Sequence, residues 1–95
     1  MASRQSKYTV HETITVSTSS IGLTTASIAG KNLAVITVES QPVRMRPDAD
    51  PTTTVGHVLN DRDIVELHNL EEMQAIRFIR DGAVDATLSC SYGIG

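Results

Sequence analysis

The strictest constraint on the fold is an alternation near the C-terminal end. From Asp85 to Tyr92 every second residue is apolar (Ala86, Leu88, Cys90, Tyr92), and the residues between them, Thr87, Ser89 and Ser91, carry hydroxyls. Side chains of a strand point alternately to opposite faces, whereas a helix repeats about every 3.6 residues, so this segment fits a half-buried strand and no helix. Tyr8 to Ser17 behaves the same way. Tyr8, Val10, Ile14 and Val16 share one parity, Thr9, His11, Thr13, Thr15 and Ser17 the other, and only Glu12 interrupts the apolar side. Composition agrees: eleven Thr, nine Val and eight Ile favour a pleated surface, because branching at Cβ stiffens the side chain against a helix.

Between these ends the chain breaks into short pieces. Ile21 to Ala29 reads as a strand, followed by a turn at Ala29-Gly30-Lys31-Asn32. Lys31 to Glu39 is apolar on both parities, the pattern of a strand buried on both sides in the middle of a sandwich. Pro42 restarts the chain at a strand start or sheet edge, with Val43 and Met45 on one side and Arg44 and Arg46 on the other. The run from Pro47 to Thr54, with two prolines and two aspartates, is a loop. After Val55, Gly56 and Val58 comes a turn at Asn60-Asp61, then a strand from Asp63 to His68 with Val65 and Leu67 on one side. Asn69 followed three residues later by Glu72 resembles a small capping box, giving one helical turn at Leu70–Met73. Gln74 to Arg80 is predicted as a strand with Ile76 and Phe78 inward, and Asp81-Gly82 as a hairpin turn. The expected fold is all-β: a small antiparallel sandwich or jelly-roll-like barrel of seven to eight strands with one short helical turn. Residues 8–95 form the single domain, and residues 1–7 a polar arm, disordered or ordered by a neighbour.

Size and charge narrow the function classes. Ninety-five residues leave a thin core. Eight Lys and Arg against eleven Asp and Glu give a net charge of −3, which argues against a nucleic-acid binder. Apolar runs as short as Leu33–Ile36 give no membrane-spanning helix, and the basic N-terminal residues lack the apolar stretch of a secretory signal. One cysteine excludes an internal disulfide framework. No phosphate-loop, dinucleotide, zinc-protease or nucleophile-elbow motif occurs, so neither enzyme nor cofactor is expected.

The chemistry-bearing residues have plainer readings. Cys90 beside His57 or His68 could make a nucleophile, but its parity with Leu88 and Tyr92 buries it, where a thiol is inert. Asp48, Asp50, Asp61 and Asp63 form two Asp-x-Asp pairs yet lack the glycine and distant glutamate of a calcium loop, so they read as turn formers. His11, His57 and His68 lack metal-ligand spacing. That leaves Arg44, Arg46, Arg62, Arg77 and Arg80, either a solvated sheet face or a set that meets partner carboxylates such as Glu39, Glu71 or Glu72 through bidentate pairs.

The ordered pieces Pro42-Val43-Arg44-Met45-Arg46, Pro51-Thr52-Thr53-Thr54-Val55-Gly56, Ile76-Arg77-Phe78-Ile79-Arg80 and Asp85-Ala86-Thr87-Leu88-Ser89 resemble a group of small β-sandwich proteins from tailed-bacteriophage virion gene clusters. The likeness spans about Ile36 to Tyr92, and departs from the group at Asp48-Ala49-Asp50, where a typical member has Asp-Gly. It implies a virion structural role, foremost a capsid cement or decoration protein that assembles in the host cytoplasm and sits on the capsid surface where subunits meet. The implied partners are the major capsid protein, other virion subunits and further copies of the chain, with no nucleic acid or membrane. The alternatives are a head–tail joint or tail ring component and a carbohydrate-binding module of a tail fibre. The last needs exposed aromatics, and only Tyr8, Phe78 and Tyr92 are available.

Overall fold

The structure, a computed structural model, describes residues 8–95; the arm expected at residues 1–7 lies outside the described residues. Seven strands and two short helices follow one another as β1 (Tyr8–Val16), α1 (Thr25–Ile28), β2 (Leu33–Glu39), β3 (Val43–Arg46), β4 (His57–Leu59), β5 (Ile64–Leu67), α2 (Leu70–Ala75), β6 (Arg77–Arg80) and β7 (Ala86–Gly93). They form two antiparallel sheets, one in the order β1-β7-β2-β5 and one in the order β4-β3-β6. The all-β, two-layered class expected from the alternation is the one observed.

Register explains why the large sheet has one apolar face. β7 lies between β1 and β2, so its four apolar residues stand in rows with theirs: Val10, Tyr92, Ala34 and Leu67; Glu12, Cys90, Ile36 and Val65; Ile14, Leu88 and Val38; Val16 and Ala86. Nearly all of these are buried, together with Val43 and Phe78 of the small sheet, Ile28 of α1 and Met73 of α2. Directly opposite side chains on one face are the unit of packing in an antiparallel pair, so matching apolar parities on three adjacent strands yield a core layer interrupted only at Glu12.

Four local expectations are corrected. Ile21 to Ala29 is not a strand. Ile21 makes a single bridge to Phe78, exchanging both backbone hydrogen bonds at 2.9 and 2.8 Å, and Thr25–Ile28 then forms one helical turn that buries Ile28. This segment crosses from one sheet to the other, and its backbone is satisfied locally, with Ser27 and Ile28 N–H donating to the Thr24 carbonyl. β2 is central in its sheet as expected but buries only one face: Ala34, Ile36 and Val38 are enclosed, while Leu33, Val35 and Thr37 are half-buried. Its second apolar parity lies on the outer side of the sheet, away from the core.

The helical turn after Asn69 runs on to Ala75, so Gln74 and Ala75 belong to it and the next strand begins at Arg77. Asn69 caps that helix by accepting the Glu72 N–H at 2.8 Å, and the Glu72 carboxylate accepts the N–H of His68 at 3.2 Å. Asp81-Gly82 is a turn but not a hairpin, because β6 and β7 belong to different sheets. β6 already has β3 on one edge and the Ile21 bridge on the other, so the chain after Asp81 must leave that sheet to find partners.

Candidate functional site

The five arginines singled out from the sequence are dispersed, and four are engaged within the chain. Arg44 Nε donates to Asp81 Oδ1 at 2.8 Å and its Nη1 to the Gly56 carbonyl at 3.1 Å. Arg46 forms a two-point fork on Asp48 at 3.0 and 2.9 Å. Arg80 Nη1 reaches Asp85 Oδ1 at 2.7 Å, and Arg77 Nη1 donates to the carbonyls of Gln74 and Ile76, both at 2.8 Å. Arg62 is exposed, and its side chain has no ion pair or hydrogen bond among the described residues. The bidentate geometry expected toward a partner is present, but Arg46 makes it to the chain's own Asp48. That contact holds the Asp48 carboxyl below the usual carboxylate range and raises Arg46 in return, both at the solvent-exposed surface.

The same contacts explain the Pro-Thr-x-Thr-Val-Gly piece of the sequence. Thr52 Oγ1 accepts from the N–H groups of Thr54 and Val55 at 3.3 and 3.0 Å, closing a local turn. Gly56 follows with φ +137, and a Cβ there would stand 3.1 Å from the Met45 carbonyl oxygen and 3.3 Å from Pro51 Cβ. Only glycine fits that conformation and that approach. Arg44 then binds the Gly56 carbonyl to Asp81, so this motif builds β4 against β3. The loop leaves an open depression of about 460 Å³ lined by Arg46, Pro47, Asp48, Val55, Gly56 and His57.

The four aspartates of the Asp-x-Asp pairs are occupied by turns and loops. Asp61 accepts the Ser40 N–H, Asp63 the Asn60 N–H, Asp50 the Ser20 hydroxyl and Asp48 the Arg46 fork. His11 lies 3.1 Å from the Ser91 hydroxyl on the outer face of the large sheet. Cys90 is fully buried, and burial pushes its thiol up to about 11, with the nearby Glu12 charge adding to the rise. At neutral pH it is a protonated packing group, as its parity indicated.

Glu12, which reads in the sequence as a flaw in the alternation, is the most heavily engaged carboxylate. Oε2 accepts the Tyr92 hydroxyl at 2.5 Å and the Thr24 N–H at 3.2 Å, and Oε1 accepts the Thr24 hydroxyl at 2.5 Å. Burial, and then hydrogen bonding to Glu12, raises the Tyr92 hydroxyl well above its ordinary value. The cluster joins β1, β7 and the residue preceding α1 at the margin of the core. Its sequence signal was a charged residue on the apolar parity of one strand and a tyrosine on the apolar parity of another, with nothing to say that they would meet.

The outer face of the large sheet points away from the core. Its rows run His11, Ser91, Val35 and Glu66; Thr13, Ser89, Thr37 and Ile64; Thr15, Thr87 and Glu39. Ser89 donates to Glu39 at 2.9 Å, and Ile64 stands 61 % exposed. This is a hydroxyl surface with few charges and one projecting apolar side chain. No protein-family model matches the chain, and neither the curated proteins nor the solved structures offer a match.

Proposed function

We propose that this protein is a virion structural component of a tailed bacteriophage: a capsid cement or decoration protein that binds between capsid subunits and acts by contact. The carrying observation is the outer face of the large sheet, where Thr13, Thr15, Thr37, Thr87, Ser89 and Ser91 share three rows with Val35 and, at the β5 edge, the exposed Ile64. Hydroxyls both donate and accept, so such a face can pair with polar groups of many orientations without stripping water from full charges. The order of motifs between Ile36 and Tyr92 supports the same reading. Many weak clamps, each favouring only the assembled shell, shift a large structure away from bursting. Among the five arginines, Arg62 is our candidate for a capsid carboxylate, since the other four are engaged inside the chain.

The tail-fibre alternative is weakened by burial, since Phe78 and Tyr92 are fully enclosed and cannot offer a stacking platform to a sugar. Purified protein should sediment with assembled empty shells and not with free capsid subunits, and should raise the temperature at which shells burst. Ile64→Asp and Arg62→Gln should weaken that binding while leaving thermal unfolding of the isolated protein unchanged. A copy number of about a dozen or fewer per particle would instead make it a ring component at the head–tail joint.

A further inference from the structure

The four lateral edges of the two sheets are not alike. β4 and β5 are edges of three and four residues, and β6 is closed by the Ile21 bridge. β1 spans nine residues, and from Val10 to Val16 it pairs, among the described residues, on one side only, with β7. A long open edge presents a row of unpaired N–H and C=O groups, and folded proteins ordinarily blunt one with lysine, proline, a bulge, an inward-pointing charge or a short strand. β1 has a bulge only at its Tyr8/Val10 end, and its one inward charge, Glu12, is held by Tyr92 and Thr24. β1 contains neither lysine nor proline. Its irregularity is confined to the Tyr8/Val10 end, and from Val10 to Val16 the ladder with β7 runs without a shift.

Its charges also leave it free to accept a like chain. The chain carries a net charge of −3, which opposes self-association in general. On β1, however, the only acidic residue is Glu12, which is drawn to Tyr92 and Thr24 at the core margin. The outer-face residues Thr9, Thr13 and Thr15 are exposed and uncharged, with His11 among them.

We infer that the open edge of β1 pairs antiparallel with the same edge of a second copy about a two-fold axis, joining two four-stranded sheets into one of eight strands. An axis at Glu12 would set that carboxylate against its own copy, and like charges directly opposite are unfavourable. An axis at Thr13 sets Thr13 against Thr13 of the partner subunit, His11 against Thr15 of the partner subunit, and Val10 against Val16 of the partner subunit. No like charges meet in that register, and the outer hydroxyl faces of the two copies become one surface. The pairing needs no capsid, so it stands apart from the function proposed above and is tested without shells.

Sedimentation equilibrium of the full chain at micromolar concentration should show a dimer. Thr13→Lys with Thr15→Lys, both on the exposed face, should weaken dimerisation roughly tenfold or more while the circular dichroism stays β-rich. With a short thiol-to-thiol crosslinker, Thr13→Cys should give covalent dimers, whereas Val58→Cys on the other sheet should not. A wild-type chain that remains monomeric overturns the inference. So does a dimer that the two lysines leave unchanged, or one that crosslinks through Val58→Cys and not through Thr13→Cys.

Discussion

In the large sheet β1 and β7 stay in register from Val10 to Val16, and β7 meets β2 along its whole length, from Leu33 to Glu39. In the small sheet β3 meets β6 only over Val43–Arg46, and β4 only over three residues. The first is held by rows of enclosed apolar side chains. The second places Val43 and Phe78 in the shared core but relies at its margins on Arg44, Arg80 and a glycine-closed loop. Long ladders tolerate a polar outer face because one face suffices for burial, whereas short strands need side-chain ties to fix their ends.

The largest expected effect comes from breaking the large sheet. Leu88 is fully enclosed between Ile14 and Val38, so Leu88→Ala should cost about 2–5 kcal/mol in denaturant unfolding. A loss below about 1 kcal/mol would show that the row does not carry the fold.

Alkaline pH probes the same layer without mutation. The Cys90 thiol is held up to about 11, so the folded state keeps a proton that the unfolded chain gives up nearer the ordinary thiol value. The unfolded state then binds fewer protons, and the Cys90 contribution to stability must fall as pH rises above that ordinary value, levelling beyond 11. Cys90 alone should account for about 2–3 kcal/mol of that fall, with Tyr92 adding to it in the same direction. Cys90→Ala should flatten this part of the profile in thermal melts across pH 8–11, whatever its effect at neutral pH. An equally steep loss in that variant would exclude the thiol as its source.

Breaking the small sheet should matter less. Gly56→Ala forces a side chain into φ +137 against the Met45 carbonyl and should cost about 1–3 kcal/mol by chemical denaturation. Hydrogen exchange should quicken in β3 and β4 before β1 and β7. Uniform loosening of both sheets would erase the distinction drawn between them. Smallest of all is the exposed Arg46–Asp48 fork. The Asp48 carboxyl is lowered, so whatever it contributes is present above the ordinary carboxylate value and lost as pH falls through the lowered one. Solvent screens the pair, and Asp48→Asn should leave the melting temperature at neutral pH unchanged within error. A clear drop would make this fork a structural tie like that of Arg44.

Legibility followed the same division. β1, β5 and β7 could be read from alternation, which also buried Cys90. β2 was legible as a strand from its apolar run but not as buried on one face only, and the capped turn came from the Asn69–Glu72 spacing. The segment from Ile21 to Ala29 could not, because its apolar residues satisfy neither period and its hydrogen bonds depend on where Phe78 lies. Asp81-Gly82 carries the same local turn signal whether the following strand folds back or leaves the sheet. The arginines were recognisable as bidentate donors, but their aspartate partners lie up to 37 residues away, and no local pattern pairs Arg44 with Asp81.

Period-two placement of β-branched and hydroxyl residues was enough, by itself, to require a pleated layer with one apolar face, since a strand must sort its side chains to two sides. Which strands lie side by side, that Glu12 finds Tyr92 and Thr24, that four arginines are satisfied internally, and that β1 from Val10 to Val16 pairs on one side only among the described residues were decided only by tertiary structure. Those outcomes depend on distances between residues remote in the chain, and side-chain alternation carries no information about which remote strand will supply the partner.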